Sequence, residues 1–431
     1  MSSVLRRTGA FAYRNPRLYV YFTVLYNARA YYPVLAIFFT DLGLTLDRFV
    51  FLNLMWALAI FLLEVPSGAL ADTLGRKKLL VFSSLIMVVE MAILLLAPKD
   101  GGNLLFALCI LNRLLSGTSE AAASGADESI AYDALPEEGR AQAWDDVLSA
   151  AMKWRSAGFF ITMALGGLLY DFTWAQKLGV SVPVEISHRL PIAVVLVQAI
   201  ACVAITLRLE ETPHASGEAK ARCASAFRLT LRTAKKAFTT RSIAVVIVGG
   251  LLIDSVARNF ATMTSEYYRL IHYPEWSFGL IGAVGGFVGF FVPAIARWLN
   301  ARFSALGVLG ISAVLAIACL SLIAPAWPWV GLLPVMLLMT LLGLVGFTVG
   351  RHLHASAESS ERATMLSVRG LAFNLGYGTF SLGFSLLLAR MRETVGDDAF
   401  RSALLWQLPV VAALIAGFFL WAWSGKGRRS V

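Results

Sequence analysis

Residues 64–78 read EVPSGALADTLGRKK and lead from the end of one long apolar stretch of the chain towards the start of the next. The stretch before it begins near residue 49 and the one after it runs from about 79 to 98. Each has the length that an α-helix needs to cross about 30 Å of hydrocarbon. The segment between them ends in three consecutive cations. It therefore predicts a short, positively charged connection between two membrane-spanning helices.

The composition of the whole chain places it in a membrane. Of its 431 residues, 58% are hydrophobic and 15% are charged, whereas soluble domains carry about 25% charged residues. We therefore expect an all-α integral membrane protein with about twelve transmembrane helices. The predicted spans cover residues 17–40, 49–71, 79–98, 104–131, 148–170, 188–207, 242–266, 277–299, 304–324, 328–350, 364–389 and 402–424.

The Lys and Arg residues of the short loops lie mainly on one side of this topology. If both termini are cytoplasmic, that side is the cytoplasm, as the positive-inside rule requires. Topology and contact with anionic lipid then explain the net charge of +10, so we do not expect a nucleic-acid partner. A bacterial inner membrane is the expected location. No metal or cofactor is expected, because none of the four cysteines has metal-ligand spacing.

One long polar interval, residues 208–241, divides the chain into two sets of six spans. We predict an N-terminal six-helix bundle over 1–207, a cytoplasmic linker over 208–241 and a C-terminal six-helix bundle over 242–431. Within the linker, residues 224–238 set apolar side chains against basic ones. This pattern predicts an amphipathic helix lying on anionic membrane lipids.

Three pairs of landmarks suggest that the two halves are an internal duplication. A proline late in the second span of a half recurs in the other half at an offset of 227 positions, and an acid just before that span recurs at an offset of 228. An arginine inside the first span recurs at an offset of 229. Many transporters place their site at the interface of two such repeats, near the middle of the membrane. The pairs are Pro66 with Pro293, Asp47 with Glu275, and Arg29 with Arg258.

Residues 64–78 also resemble the signature of the major facilitator superfamily in the loop between its second and third helices. The matching positions are Gly68, Asp72, Gly75, Arg76 and Lys77. The resemblance implies two pseudo-symmetric six-helix bundles, a functional monomer and transport by alternating access. It further implies that this loop latches the two halves together on the cytoplasmic side.

The resemblance also implies roles for the residues of this latch. Gly68 permits close helix packing, and Gly75 supports the turn. Asp72 is expected near the N-terminus of the eleventh helix, whose dipole favours an anion. Arg76 is expected to pair with an acid at the inner end of the fourth helix, unless the acids there form only a solvated helix end. The candidates for that acid are Asp127, Glu128 and Asp133.

Two further segments look like family motifs. Residues 111–117, LNRLLSG, resemble the second motif, in which an arginine is linked to proton transfer or substrate contact; here it is Arg113. Residues 162–167, TMALGG, keep the paired glycines of a motif typical of drug/proton antiporters but lack its Gly-Pro. A proton-coupled multidrug exporter is therefore the first alternative rather than the preferred function.

Ionisable side chains inside the spans mark a candidate substrate site, because one near the membrane centre costs at least about 2.5 kcal/mol. Asp254 and Arg258 are four residues apart and share one face of the seventh span. They either neutralise each other, or Arg258 faces Arg29 and the two arginines clamp an anion. The substrate-binding candidates are Arg29, Asn27, Tyr31, Asp254, Arg258, Asn259, Trp56 and Asn374.

Three side chains are candidates for ion coupling: Glu64, Arg113 and Asp254. Burial favours the protonated form of Glu64, although an ion pair that stabilises the latch is an equal alternative. We expect a secondary transporter, symporter or antiporter, for a small organic anion or zwitterion, coupled to protons or another ion. No catalytic motif appears. The alternative from another class is a lipid-handling membrane protein or a membrane transferase.

Overall fold

The computed structural model describes residues 9–176, 178–211, 219–356 and 362–424, and the regular elements in these ranges are all helical. The helices up to residue 207 are α1 (Arg14–Asn27), α2 (Leu35–Asp41), α3 (Leu46–Leu74), α4 (Arg76–Leu96), α5 (Gly102–Ala123), α6 (Ala126–Tyr132), α7 (Arg140–Tyr170), α8 (Thr173–Gln176), α9 (Val184–Ser187) and α10 (Leu190–Leu207). The helices after residue 218 are α11 (Ala219–Thr239), α12 (Arg241–Thr262), α13 (Thr264–Leu270), α14 (Phe278–Gly289), α15 (Val292–Arg302), α16 (Ala305–Ile323), α17 (Leu332–Ser356), α18 (Arg362–Val395) and α19 (Ala399–Trp423).

Each of the twelve predicted spans contains one long helix or a broken helix pair. Spans one, four, seven and eight are divided into α1 and α2, α5 and α6, α12 and α13, and α14 and α15. In the described ranges, eight stretches are long and apolar enough to cross a membrane, or nine if the bent pair in span eight is one span. One of the eight, Thr364–Trp423, contains both α18 and α19. The fifth span, α7, carries Lys153 and Arg155 and is not among them.

Span one was predicted as one helix over 17–40, and the structure breaks it between Asn27 and Leu35. Pro33 explains the break. Its ring has no N–H to donate and clashes with the carbonyl of the residue four positions earlier, which is Arg29. Residue Ala28 accordingly leaves the helical conformation, with φ −86° and ψ 75°. Arg29 therefore lies on the non-helical segment in the middle of the span.

Proline also breaks the helix of span eight, but it does not break the helix of span two. Pro293 lies four residues after Gly289, where α14 ends, and α14 and α15 meet at a bend of 41°. Its sequence counterpart Pro66 lies inside α3, which continues to Leu74. The structure therefore gives the two related prolines different consequences for the helix.

The helices form two compact units. Unit 1 consists of Met1–Val34, Ala59–Ala226 and Glu275–Ala283, and unit 2 of Leu35–Leu58, Phe227–Pro274 and Val284–Val431. Each unit therefore takes segments from both sides of the linker. The division of the chain into bundles over 1–207 and 242–431 stays a prediction.

Unit 1 is held together partly by contacts that only glycine permits. A Cβ added at Gly166 would lie 1.8 Å from the Ala30 carbonyl oxygen, and one at Gly279 would lie 2.0 Å from the carbonyl oxygen of Met163. At Gly282 an added Cβ would lie 2.2 Å from the Met163 side chain. The backbone of α7 therefore touches both span one and the start of α14, which requires these small residues.

Unit 2 is centred on α12, which packs against α16, α17 and α18. Most of α12 is buried, whereas the other candidate spans bury less than half of theirs. Its glycines allow close approach: a Cβ at Gly250 would lie 2.5 Å from Val349, and one at Gly249 would lie 2.6 Å from Phe418. Polar side chains on this buried helix are therefore held by neighbouring helices rather than by lipid.

Candidate functional site

Four of the predicted substrate-binding residues come together in unit 2, where α12 faces α18. Arg258 lies 2.8 Å from Asp254, between Nη2 and Oδ2, and its Nη1 donates a hydrogen bond of 2.9 Å to Oδ1 of Asn374. The side chain of Asp254 is only 6% exposed, and that of Arg258 is 29% exposed. The guanidinium group is thus fixed in orientation and still accessible.

Aromatic rings complete this arrangement. The Cζ atom of Arg258 lies 5.5 Å from the ring centroid of Tyr377, within the range of cation–π attraction. Trp56 of α3 meets the same tyrosine edge to face, with centroids 6.1 Å apart. We name Asp254, Arg258, Asn374, Tyr377 and Trp56 the α12–α18 cluster. Tyr377 was not predicted, because a tyrosine inside a span carries no charge to mark it.

Together with Arg369 of α18, the α12–α18 cluster carries more positive than negative charge. Arg369 of α18 acts electrostatically on Asp254 together with Arg258, and its Cζ lies 5.0 Å from the ring of Phe373. One carboxylate therefore faces two guanidinium groups. Such a site attracts an anionic group, and Asp254 offers an acceptor for a cationic group on the same molecule.

Asn259, also predicted to bind substrate, has a different position. It is buried, and its Oδ1 accepts a hydrogen bond of 2.8 Å from Ser381. This bond joins α12 to α18 at the residue directly after Arg258. Asn259 therefore ties together the two helices that carry the cluster.

Arg29 lies in unit 1, where it forms an ion pair with Glu90 of α4. The distance between Nη1 and Oε1 is 2.8 Å, and the side chains are 2% and 0% exposed. Nη1 also donates to the hydroxyl of Tyr31 over 3.2 Å. The guanidinium Cζ lies 5.5 Å from the ring centroid of Tyr26. Unlike Arg258, this arginine is enclosed by its own unit.

The two other predicted residues of span one differ in exposure. Tyr31 is buried and meets Tyr32 edge to face at 5.3 Å. Asn27 is exposed at the C-terminal end of α1, where its Nδ2 donates to the Thr23 carbonyl at 2.7 Å. Asn27 therefore offers its remaining polar atoms to the surface of unit 1.

Glu90 is the functional candidate that our sequence reasoning missed. It stands alone among apolar residues in the middle of the third span, and an acid in that position is a candidate functional residue. The signal was therefore present. Glu90 lies outside every family motif that the sequence resembles.

Arg113 and Glu64, the other coupling candidates, belong to unit 1 and are not members of the α12–α18 cluster. Arg113 is buried on α5 and acts electrostatically on Glu90. Its neighbour Asn112 donates from Nδ2 to the Glu90 carbonyl at 2.8 Å. Glu64 is half-buried on α3, and its Oε2 has no hydrogen-bond partner among the described residues.

Arg76 pairs with Asp133, one of the three acids left open by the sequence. The other two acids, Asp127 and Glu128, stand in the first turn of α6. There the carboxylate of Asp127 accepts the Glu128 N–H at 2.8 Å. Arg76 therefore ties the start of α4 to the residue that follows α6.

The remaining latch residues have mixed positions. Gly75 is the N-cap of α4 and has φ 99°, a left-handed value that favours glycine. A Cβ added at Gly68 would meet no heavy atom within 4 Å among the described residues. Among the residues that the structure describes, Gly68 shows no close packing, and its packing role stays a prediction. The side chain of Asp72 lies outside the part of the chain that the structure describes.

The first residues after α10 close this end of unit 1, which the sequence did not suggest. The carboxylate of Glu211 accepts the backbone N–H groups of Arg76 and Lys77, each at 3.0 Å. Asn15 and Glu210 exchange two hydrogen bonds of 2.8 and 2.9 Å. The N-terminus of α4, which attracts anions, thus already holds a carboxylate of the chain itself.

Contacts between spans one and seven cluster at the end of unit 2 formed by α2 and α13. Arg269 binds Asp41 through two parallel hydrogen bonds of 2.8 Å. Ser265 Oγ accepts the N–H groups of Ala36 and Ile37 at 3.0 and 3.3 Å. The Thr40 hydroxyl donates to the Glu266 carboxylate. The bidentate pair of Arg269 with Asp41 is among the stronger polar contacts that a protein makes.

The sequence profile of the Major Facilitator Superfamily matches residues 18–381 of the chain. No curated protein matches the sequence significantly. The match covers most of the chain, so the family resemblance seen in residues 64–78 is confirmed. It includes the α12–α18 cluster, the Arg29–Glu90 pair and Arg76 with Asp133.

Solved transporter structures share the fold. A mutant of the nucleoside transporter NupG superposes with a TM-score of 0.74 at 14% identity, covering 94% of this chain and 98% of that one. A D-xylose–proton symporter gives 0.65 at 14% identity, with 95% of each chain covered. A bacterial homologue of the human lysosomal transporter Spinster gives 0.65 at 17% identity, with 98% of each covered.

These similarities confirm the predicted all-α, twelve-helix transporter fold. At such low identities they carry no information about the substrate. They agree with the membrane-spanning apolar helices of the structure, with a small-molecule substrate and with the lack of a catalytic motif in the sequence. The chain belongs to the Major Facilitator Superfamily, and it is an integral membrane transporter rather than an enzyme.

Proposed function

We propose that the protein moves a small organic anion or zwitterion across the membrane by alternating access, and that the substrate binds at the α12–α18 cluster. The observation that carries this proposal is the state of Arg258. It is fixed by Asp254 and Asn374, lies close to Tyr377 and is still 29% exposed. An accessible, oriented guanidinium group is suited to a carboxylate or phosphate.

Asp254 makes a zwitterion as acceptable as an anion. It neutralises only part of the positive charge, since Arg369 also acts on it. An anionic substrate group would contact Arg258, and an ammonium group of the same molecule would lie near Asp254. The rings of Trp56 and Tyr377 supply an apolar surface for the rest of the molecule.

The finer features of the transporter belong to the same proposal. It acts as a monomer in a bacterial inner membrane with both termini in the cytoplasm, coupled to protons or another ion.

Helix α11 lies on membrane lipids: Thr233 and Ala237 are buried against the protein, whereas Leu231 and Phe238 are exposed beside Arg228 and other basic residues. Exposed apolar and basic strips side by side suit an anionic lipid surface.

Alternating access requires contacts that hold one side closed. The pair of Asp41 with Arg269 and the bonds of Ser265 to span one support closure at the end formed by α2 and α13. Within unit 1, Arg76 with Asp133 and the capping carboxylate of Glu211 support the structure of its loop-rich end. Substrate binding shifts the populations of the two states.

Thermal stability of the purified protein tests the proposal, because a ligand that binds only the folded state raises the unfolding midpoint. The panel contains acetate, citrate, glycerol phosphate, glycine, glutamate and several cationic drugs. We expect a shift with an anion or zwitterion that Arg258→Ala abolishes and Arg390→Ala keeps, since Arg390 is exposed and pairs only locally with Glu393. A shift with cationic drugs alone that survives in Arg258→Ala would overturn the proposal and favour drug export.

A further inference from the structure

The charged side chains around Asp254 do not balance. The single carboxylate of Asp254 faces the guanidinium groups of Arg258 and Arg369, so the three side chains together carry one positive charge in excess. The charged groups that act on Arg369 are Asp254 and Arg258. In the described part of the chain, no second acid acts on Arg369 to offset the excess.

Asp254 already has a partner, whereas Arg369 does not. The Oδ2 atom of Asp254 lies 2.8 Å from Nη2 of Arg258, and Nη1 of Arg258 donates to Asn374 at 2.9 Å. With the residues that the structure describes, Arg369 forms no ion pair and no hydrogen bond. The unmatched charge of this group is therefore that of Arg369.

The guanidinium group of Arg369 is held in place without the use of its donors. Its Cζ lies 5.0 Å from the ring centroid of Phe373, within the range of cation–π attraction. Its terminal nitrogens lie against α17, where an added Cβ would be 3.4 Å from Nη2 at Gly346 and 3.6 Å from Nη1 at Gly350. Glycine has no side chain and so offers no acceptor at these positions. The half-buried Arg369 therefore keeps its donors for water or a bound molecule.

Arg369 borders the same surface as the α12–α18 cluster. Arg369, Phe373 and Tyr377 are spaced four residues apart and share one face of α18. Tyr377 is the ring beside which Arg258 lies, and all of these residues belong to unit 2. An ionisable side chain within a span is expensive and marks a candidate functional residue. Arg369 has this cost without the compensation of an ion pair.

We propose that Arg369 binds an anionic group of the substrate, and that the substrate therefore carries one more negative charge than positive charges. Glutamate illustrates the match: its two carboxylates suit Arg258 and Arg369, and its ammonium group suits Asp254. The charges of the occupied site then sum to zero. This inference rests on the proposed function and narrows its substrate class from any anion or zwitterion to molecules of net charge −1.

Two pairs of ligands that differ mainly in one charge test the role of Arg369. Thermal shifts are measured with glutamate and glutamine, and with lactate and lactamide. We expect the wild type to prefer the charged member of at least one pair. In Arg369→Gln this preference should fall about tenfold or more, because a charge-assisted hydrogen bond is lost, and Arg390→Gln should keep it. An unchanged preference in Arg369→Gln would overturn the proposal.

A carboxylate supplied by the chain itself tests the same point from the opposite direction. In Gly350→Asp the new side chain begins 3.6 Å from Nη1 of Arg369, so its carboxylate can pair with the guanidinium group and take the place of the substrate anion. We expect this variant to lose binding of the charged ligand. Gly350→Asn has nearly the same shape without the charge and should keep most of the binding. Equal binding by the two variants would refute the proposed role of Arg369.

Unfolding without any ligand tests whether Arg369 is only a structural partner of Asp254. Arg258→Met leaves the carboxylate of Asp254 buried without its close partner, so the unfolding midpoint should fall by several degrees. Arg369→Met keeps an apolar side chain against Phe373 and removes an unmatched charge, so the midpoint should stay the same or rise. An equal fall in the two variants would overturn the inference.

The outcomes separate this inference from the proposed function. If an anion or zwitterion binds through Arg258 and Arg369→Gln changes nothing, the proposed function stands and the role of Arg369 is wrong. If cationic drugs alone bind, the proposed function fails and this inference fails with it.

Discussion

Removing one member of the Arg29–Glu90 pair should destabilise the protein more than removing both. In Arg29→Met the carboxylate of Glu90, which is 0% exposed, loses its counterion. Breaking a buried pair in this way costs about 3–5 kcal/mol, whereas replacing both partners by apolar residues is often neutral or stabilising. We therefore expect Arg29→Met/Glu90→Leu to recover most of the stability that Arg29→Met loses.

The assay is thermal unfolding in a mild detergent, followed by tryptophan fluorescence. A cooperative unit of about 200 residues has an unfolding entropy of about 0.4 kcal/mol per kelvin, so a loss of about 4 kcal/mol lowers the midpoint by roughly 10 °C. Asp133→Asn is the control. It removes the partner of Arg76 in a partly exposed pair, where about 1 kcal/mol or less is expected. Additive effects of the two single substitutions in the double variant would refute the reasoning.

Three further predictions concern packing and closure. Gly279→Val should cost about 3 kcal/mol or more in thermal unfolding, because the new side chain begins 2.0 Å from the Met163 carbonyl oxygen. Asp41→Asn should weaken the bidentate contact with Arg269, so hydrogen exchange in residues 35–41 should become faster, by about tenfold for a loss of 1.4 kcal/mol. Glu211→Ala should remove the cap of α4, raise hydrogen exchange in its first turn and cost about 1 kcal/mol.

Two of these three predictions have a control variant, and the third has a contradicting result of its own. Gly285→Ala lies on the same helix as Gly279 and has no atom within 4 Å of the added carbon, so an equal loss in both variants would contradict the packing argument. Arg390→Gln breaks an exposed local pair and should leave exchange in residues 35–41 unchanged. For the cap of α4, unchanged exchange in residues 76–79 of Glu211→Ala would be the contradicting result.

The fold was largely predictable because a long apolar run that crosses lipid folds as a helix. Each run must satisfy its own backbone hydrogen bonds and so becomes a helix. What the runs did not reveal is where a helix breaks. Pro33 and Pro293 interrupt their spans, whereas Pro66 is accommodated within α3, and that difference depends on neighbours that a single sequence does not show.

The internal duplication suggested by three offsets stays a prediction, and the structure shows contacts at a similar spacing. The offset between Asp41 and Arg269 is 228 positions, as is that between Ile37 and Ser265. These residues touch at one end of unit 2. Sequence alone gave the spacing but could not show which residues at that spacing are in contact.

The candidate site was only partly predictable. The charged pair Asp254 and Arg258 has helical spacing, and Asn374 was singled out as a polar residue in a span; the structure brings all three together. Tyr377 gave no signal. Glu90 gave one, as a lone acid in an apolar span, but its pairing with Arg29 depends on the packing of α4 against span one, which residue spacing does not encode.

Solute uptake by reconstituted proteoliposomes tests the central claim most directly. Liposomes containing the protein are incubated with a defined mixture of organic anions, zwitterions, sugars, nucleosides and cationic drugs under an inward proton gradient, and their contents are measured by mass spectrometry. We predict accumulation of an anion or zwitterion relative to empty liposomes, and its loss in Arg258→Ala but not in Arg390→Ala. Accumulation of a neutral or cationic solute alone, unchanged by Arg258→Ala, would contradict the account.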